Sequence, residues 1–183
     1  MHLYRTSILW AALLAAPVLA APPSVGQPAP DFTLSSVQGA PVRLSELTAQ
    51  SPVALIVLRG FPGYQCPLCQ RQVQDFLKHA SAFTDAGVQL VFIYPGPRDT
   101  IDAKARQFLE DKPLPPGVHM LLDPGYEFTA LYGLRWDAPR ETAFPSTFLI
   151  DKGGRVYFQK VAMLHGGRTT AAEIIALLPR RKP

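Results

Sequence analysis

At 183 residues, with 48% apolar and 17% charged residues, the chain is long enough to bury one substantial core and too apolar to remain disordered. Its formal charge of +4 is scattered, with a run only at Arg180, Arg181 and Lys182, so the composition gives no basis for a nucleic-acid partner. That run reads as a solvated tail, contact with an anionic membrane or nucleic acid being the alternative.

The first twenty residues carry the marks of a secretory leader: Arg5 in a short positive start, an apolar stretch from Ile8 through Leu14, then Pro17-Val18-Leu19-Ala20. Cleavage after Ala20 puts Val18 and Ala20 at the minus-three and minus-one places, and no cysteine follows to take a lipid. An uncleaved anchor is the competing reading, but the apolar run is shorter than the ~20 residues of a spanning helix and Pro17 interrupts it. The expectation is an exported protein, periplasmic or otherwise extracytoplasmic, with no stable membrane span once the signal peptide 1–20 is removed. In such an oxidising compartment a cysteine pair can exist as a disulfide.

Residues 21–30 hold four prolines and no periodicity, and read as a Pro-rich N-terminal arm leading into a single domain over 31–183. Val53–Leu58 is a continuous apolar run, as a strand buried on both faces requires. After a loop over 59–65, the apolar places Leu68, Val73, Phe76, Leu77 and Phe83 predict a helix over 66–86, ended by Gly87. Val88–Tyr94 predicts a second strand, Thr100–Glu110 a helix with Ile101, Ala105 and Phe108 inward, and Met120–Leu122 a third strand. A short helix over 126–132 closes at Gly133. Thr147–Ile150 and Val156–Phe158, joined through Asp151-Lys152-Gly153-Gly154, predict a hairpin, and Thr170 with Glu173 makes a capping box for a last helix ending near Leu178. Crossover helices join parallel strands and the hairpin adds antiparallel ones. The expected fold is therefore α/β, a mixed central β-sheet flanked by helices on both faces, in an order similar to the thioredoxin-like fold.

The only two cysteines lie in Cys66-Pro67-Leu68-Cys69, where the loop after the first strand gives way to a helix. Pro67 suits the first helical position, where its missing N–H would have had no helical partner, so Cys66 falls at the cap and Cys69 in the first turn. Unpaired N–H groups and the positive end of the helix dipole favour an anion there, which predicts one thiol with a depressed pKa. The second sulfur, in the same turn, can resolve the product of attack as an intramolecular disulfide, a reversible two-electron cycle. Competing readings are a structural disulfide, although so short a loop restrains the unfolded chain little, and half a zinc site completed by His119 or His165. Neither a second C-x-x-C nor a matching histidine pair is present, and Gln70 stands where haem attachment requires a histidine.

Several segments together resemble the AhpC/TSA peroxiredoxin-like (redoxin) branch of the thioredoxin superfamily: Gly26-Gln27-Pro28-Ala29-Pro30-Asp31-Phe32, Pro62-Gly63-Tyr64-Gln65-Cys66-Pro67-Leu68-Cys69, Leu122-Asp123-Pro124 before Tyr132-Gly133, and Ser146-Thr147-Phe148-Leu149-Ile150-Asp151 with Gly153-Gly154. The resemblance spans Gly26 to about Leu178. It implies a thiol-based enzyme, without cofactor or metal, that reduces hydroperoxides through a Cys66–Cys69 dithiol–disulfide cycle and is recharged by a thioredoxin-like thiol electron donor. The alternative it implies is an extracytoplasmic thiol–disulfide oxidoreductase acting on protein disulfides.

Peroxiredoxins carry P-x-x-x-[TS]-x-x-C, which sets Pro62 and Cys69 in register with Cys66 in the place of the threonine or serine. On that pattern Cys69 is the peroxidatic thiolate and Cys66 its resolving partner. Thioredoxins attack with the first cysteine of the pair, which makes Cys66 the nucleophile, and both assignments stand open. The peroxiredoxin arginine that polarises the peroxide falls at Pro145, the place of the superfamily's cis-proline. A cis bond there would let the neighbouring backbone pair with an extended substrate; a plain strand-opening proline is the alternative. Losing that guanidinium takes a charge-assisted donor from the thiolate, and Arg59, just before the cysteine loop, is the replacement in view, against a surface arginine paired to a carboxylate. Tyr64 and Trp136 are candidates to wall the site, with core packing the competing reading. His165-Gly166-Gly167-Arg168 is a glycine-flanked loop of the kind that adopts a tight conformation near a site, His165 being a proton shuttle or a hydrogen-bonded loop histidine, while His79 is expected exposed on its helix. A copper-handling thioredoxin-fold protein using the cysteine pair and His165 is the reading of another class; such proteins usually space their cysteines C-x-x-x-C.

Overall fold

The computed structural model describes residues 20–110 and 112–179, so the expected leader, apart from Ala20, and the basic tail lie outside the described residues. A small hairpin, β1 (Thr33–Ser35) and β2 (Pro41–Arg43), runs straight into α1 (Leu44–Gln50), after which the chain enters the sheet at β3 (Val53–Val57). There follow α2 (Pro67–Lys78), α3 (Ala80–Ala86), β4 (Gln89–Gly96), α4 (Ile101–Phe108), β5 (Val118–Pro124), α5 (Glu127–Leu131), β6 (Ser146–Ile150), β7 (Val156–Val161) and α6 (Ala171–Ile175). The main sheet has the order β5-β4-β3-β6-β7. β4 runs parallel to both β3 and β5, whereas β6 runs antiparallel to β3 and β7, which makes the mixed sheet of a thioredoxin-like fold.

The unbroken apolar run of β3 is explained by its central place, since all five of its residues are fully buried. Alternation sends Ala54 and Ile56 into one core with Val73 and Phe76 of α2, Phe83 of α3, Ala105 and Phe108 of α4 and Ile174 of α6. Val53, Leu55 and Val57 enter the other core with Leu44 and Leu47 of α1 and Phe128 of α5. Each fully buried valine, leucine, isoleucine or phenylalanine side chain contributes roughly 1.5–3 kcal/mol, so β3 is the anchor from which the cysteine loop departs. Among the described residues no helix is long and apolar enough to cross a membrane.

The expected helix over 66–86 is two helices. The His79 ring donates to the Asp75 carbonyl at 2.8 Å, and its backbone N–H turns to the Phe76 carbonyl at 3.1 Å, so the helical ladder breaks there with the ring only half exposed. The last helix ends at Ile175, short of Leu178, although its capping box forms as read. The hairpin β1–β2 and α1 were not read from sequence. The strands are three residues each, and Arg43 at the start of α1 offers no side-chain cap. The Pro-rich arm is tied to the start of β7, where the Gly26 N–H reaches the Val156 carbonyl at 2.8 Å and the Val156 N–H returns to Gln27 at 3.0 Å.

The loop leaving β3 lies on the end of β4. The Phe61 N–H donates to the Pro95 carbonyl at 2.9 Å, and Gly60 adopts φ +69° at a point where a Cβ would fall 1.9 Å from that carbonyl. Only glycine meets both demands.

Candidate active site

Cys66 caps α2 from extended backbone, and its Sγ accepts the Cys69 N–H at 3.3 Å, with Pro67 following as the first helical residue. Cys66 is 2% exposed and Cys69 fully buried, and both sulfurs are free. The Cys66 thiol is pulled well below its ordinary 9.0, to about 5, first by the Cys69 side chain donating to it; the Cys69 N–H and the charges of Arg168 and Arg59 act the same way, against burial. Burial and that same donation push the Cys69 thiol well up. The pair is thus divided into an anion at the helix cap and a neutral thiol beneath it.

Arg59 is 4% exposed and lies at the centre of a network. Its Nε and Nη2 bond both Glu141 carboxylate oxygens at 2.5 and 3.0 Å, its Nη1 donates to the Tyr64 hydroxyl at 2.6 Å, and Nη2 also reaches the Arg140 carbonyl at 2.6 Å. The two expected alternatives for Arg59 are therefore combined: it is paired to a carboxylate, but inside the molecule, where its charge reaches the Cys66 thiol and its backbone hydrogen-bonds the Cys69 thiol. Burial works to raise the Glu141 carboxyl, yet the bonds from Arg59 and His165 hold it below the usual carboxylate range. Thr142 donates its hydroxyl to the Arg59 carbonyl, and Arg135 gathers the carbonyls of Trp136 and Thr142 at 2.7 and 2.6 Å, which fixes the loop carrying Glu141.

His165 bonds Glu141 at 2.9 Å and is a hydrogen-bonded loop histidine; its ring lies 5.2 Å from that of Trp136, which in turn stacks on Phe144 at 4.7 Å. Tyr64 is 45% exposed and Trp136 half-buried, so both stand at the rim of the site rather than in the core. Arg168 approaches from the same loop as His165. Its Nη2 lies 3.9 Å from the Cys66 sulfur, its Nη1 donates to Gln72 Oε1 at 3.1 Å and its Nε to the His165 carbonyl at 3.0 Å. Glu141 and Gln72 carry no signal in the sequence, and Arg168 carries only that of its glycine-flanked loop.

Pro62 lies half-buried in the bend before the cysteines. Pro145 is buried at the opening of β6, and among the described residues no peptide bond is cis, so it is the strand-opening proline and not the cis-proline. Its carbonyl accepts the Ala162 N–H at 2.8 Å; the Phe144 N–H goes to Leu134 at 2.9 Å and the Phe144 carbonyl takes the Ser146 hydroxyl at 2.8 Å. The backbone beside Pro145 is already paired within the chain, against the expectation that it would pair with an extended substrate. His119 is on β5 opposite Val91, toward the end of the sheet away from the cysteines, and bonds Gln89 at 3.3 Å. No group of three or more His, Cys, Asp or Glu among the described residues is disposed to hold a metal ion.

The AhpC/TSA family matches this chain over residues 25–159. The methylamine utilization protein MauD of Methylobacillus flagellatus is 27% identical over 132 residues, 72% of this chain and 55% of that protein, so the chain spans about half of MauD's length. The thiol-disulfide oxidoreductase ResA of Geobacillus thermodenitrificans is 27% identical over 134 residues, 73% of this chain and 67% of that protein. Among solved structures, peroxidoxin BcpB of Mycobacterium tuberculosis shares the fold with a TM-score of 0.67 at 23% identity, covering 84% of this chain and 95% of that one. A match that begins in the docked arm, takes in both cysteines and continues into β7 covers the parts of the chain that build the sheet and the site, and on that extent the chain belongs to the AhpC/TSA family.

Proposed function

We propose that the protein is an exported, peroxiredoxin-like thiol oxidoreductase that cycles between the Cys66/Cys69 dithiol and a Cys66–Cys69 disulfide and reduces hydroperoxides. The observation that carries this reading is the division of charge at the start of α2, with a depressed thiol at Cys66 above a raised, buried thiol at Cys69. Cys66 is then the attacking sulfur and Cys69 the resolving one. The Cys66 thiolate attacks the distal peroxide oxygen: an S–O bond forms, the O–O bond breaks, and the alkoxide leaves and takes up a proton. The sulfenic acid condenses with the Cys69 thiol, forming the S–S bond and releasing water. Dithiol and hydroperoxide thus give disulfide, alcohol and water, and a thioredoxin-like thiol donor returns the electrons. A small hydroperoxide suits a sulfur that is only 2% exposed beside a backbone already paired within the chain. Export rests on the leader read over residues 1–20.

A second reading, exchange with protein disulfides, is favoured by the thiolate standing on the first cysteine of the pair, the thioredoxin order, and by the likeness to ResA. Stopped-flow mixing of the reduced protein with hydrogen peroxide, and separately with a model disulfide, tests both. Hydroperoxide reduction predicts fast disulfide formation in the wild type, a trappable sulfenic acid on Cys66 in Cys69→Ser, and no reaction in Cys66→Ala, which leaves no side-chain acceptor at the helix cap. Sulfenic acid on Cys69 in Cys66→Ala would reverse the roles. Inertness to peroxide with rapid consumption of the disulfide would replace the first reading by the second.

A further inference from the structure

We infer that Arg168 is a catalytic residue of this site, the guanidinium that stands against the Cys66 sulfur and the charge leaving it, and that Gln72 is its positioning residue; the inference deepens the cycle proposed above and rests on it. Of the two arginines near the cysteines, Arg59 has its charge committed, bound through two nitrogens to Glu141 and further to Tyr64 and the Arg140 carbonyl. Arg168 has no carboxylate partner among the described residues; its contacts are a carbonyl, an amide oxygen and the Cys66 sulfur at 3.9 Å. It is the uncompensated cation facing the reacting atom.

The placement is built in. Gln72 projects from α2 at 8% exposure; its amide nitrogen donates to the Thr169 carbonyl at 3.1 Å while its oxygen takes the Arg168 Nη1. Thr169 in turn bonds Thr147 of β6 through the hydroxyls at 2.7 Å. Gly167, at φ +72°, makes the turn by which the loop after β7 delivers Arg168 back over the helix cap. Pro145 occupies the strand position where the peroxiredoxin pattern sets its arginine, and here the guanidinium arrives from the loop before α6 instead. Charged and titratable groups around the Cys66 sulfur are Cys69 on α2, Arg59 after β3, Tyr94 on β4 and Arg168, and the charge of Arg168 acts on both thiols in the lowering sense. In the first chemical step the negative charge passes from sulfur to the departing oxygen, or to the departing sulfur of a disulfide, and a cation held beside it stabilises both ends of that transfer.

The test needs neither substrate. The Cys66 titration is followed by ultraviolet thiolate absorbance and by iodoacetamide alkylation rate in Cys69→Ser, so that one sulfur titrates. Arg168→Met should raise the midpoint by about one pH unit or more, which leaves about a tenth of the thiolate at any pH well below it. Arg168→Lys should recover part of the shift, and Gln72→Leu should move the midpoint the same way by less, with the near-ultraviolet circular dichroism of each variant native. An unchanged midpoint in Arg168→Met, or a lysine variant no better than methionine, overturns the assignment even if peroxide turnover proves the cycle, and a shifted midpoint upholds it even if the substrate is another.

Discussion

The ion pair between Arg59 and Glu141 joins the start of the cysteine loop to the loop before β6, and its cost of disruption is open to direct measurement. Their side chains are 5% and 10% exposed, so water does little to replace a lost partner. Removing one member of such a pair costs about 3–5 kcal/mol because it strands the other. Taking the lower figure, since Glu141 keeps His165 at 2.9 Å when Arg59 is lost, Arg59→Met should cost about 3 kcal/mol, a melting-temperature fall of about 6–12 °C for a chain of this size. Glu141→Gln should cost a comparable amount by leaving the Arg59 charge uncompensated. The double variant, with both charges gone, should lose less than the two singles together, by about 1–3 kcal/mol. Urea unfolding of the four proteins supplies the cycle. The pH limb follows with its sign: Glu141 titrates below its ordinary range in the folded state, so the pair's contribution is present above the unfolded carboxylate value of about 4.3 and is lost as the pH falls below it. That acid limb should shrink in Glu141→Gln. Additive losses, or singles costing less than about 1 kcal/mol, would refute the view of a buried, mutually dependent pair.

Two further outcomes are expected. Alkylation of Cys66 in the wild type should reach half its limiting rate near pH 5, the value at which its thiol ionises, and be nearly flat through neutrality; a rate still climbing about tenfold per pH unit through pH 7–8 would show an ordinary thiol. Gly60→Ala should destabilise the protein by about 2 kcal/mol or more, from the left-handed backbone and the collision with the Pro95 carbonyl, and should also slow Cys66 alkylation by moving the cap; a neutral effect on thermal unfolding would show that the loop relaxes freely.

What could be read from the sequence was what neighbours in the chain decide. The five apolar residues of β3, the turn at Gly87, the capping box at Thr170 and the placing of Cys66 at a helix cap with Pro67 behind it are all local, and all appear in the structure. The break at His79 was hidden because the apolar period runs on from Phe76 to Phe83, and the interruption comes from one ring taking a carbonyl. The residues that complete the site were hidden for a different reason. Arg168 meets Cys66 across 102 positions and Arg59 meets Glu141 across 82, and nothing in the composition near either member of a pair announces the other. Pro145 stands where the superfamily pattern has its cis-proline, but a motif fixes only which residue occupies a position and leaves its peptide geometry and hydrogen bonds to the surrounding strands.

The family pattern and the thioredoxin pattern assign the two cysteines opposite roles, and the helix start supplies a physical ground for choosing between them. The residue in extended backbone at a helix cap is the one whose side chain receives a free N–H, and here that residue is Cys66, receiving the N–H of Cys69. In P-x-x-x-[TS]-x-x-C the same place belongs to a hydroxyl, which can accept that N–H without ionising and so leaves the negative charge to the cysteine one turn on. A thiol in the cap position ionises far more readily than a hydroxyl, so the anion moves to the cap. Once it is there, Cys69, wholly buried, is held as a neutral donor, since two negative sulfurs in one turn repel each other. A single replacement at position 66 is therefore enough to transfer the anionic role from the second cysteine to the first. Serine at position 66 should return part of that charge to Cys69, which makes the Cys69 midpoint in Cys66→Ser the most direct measure of how much of this site's chemistry resides in one cap.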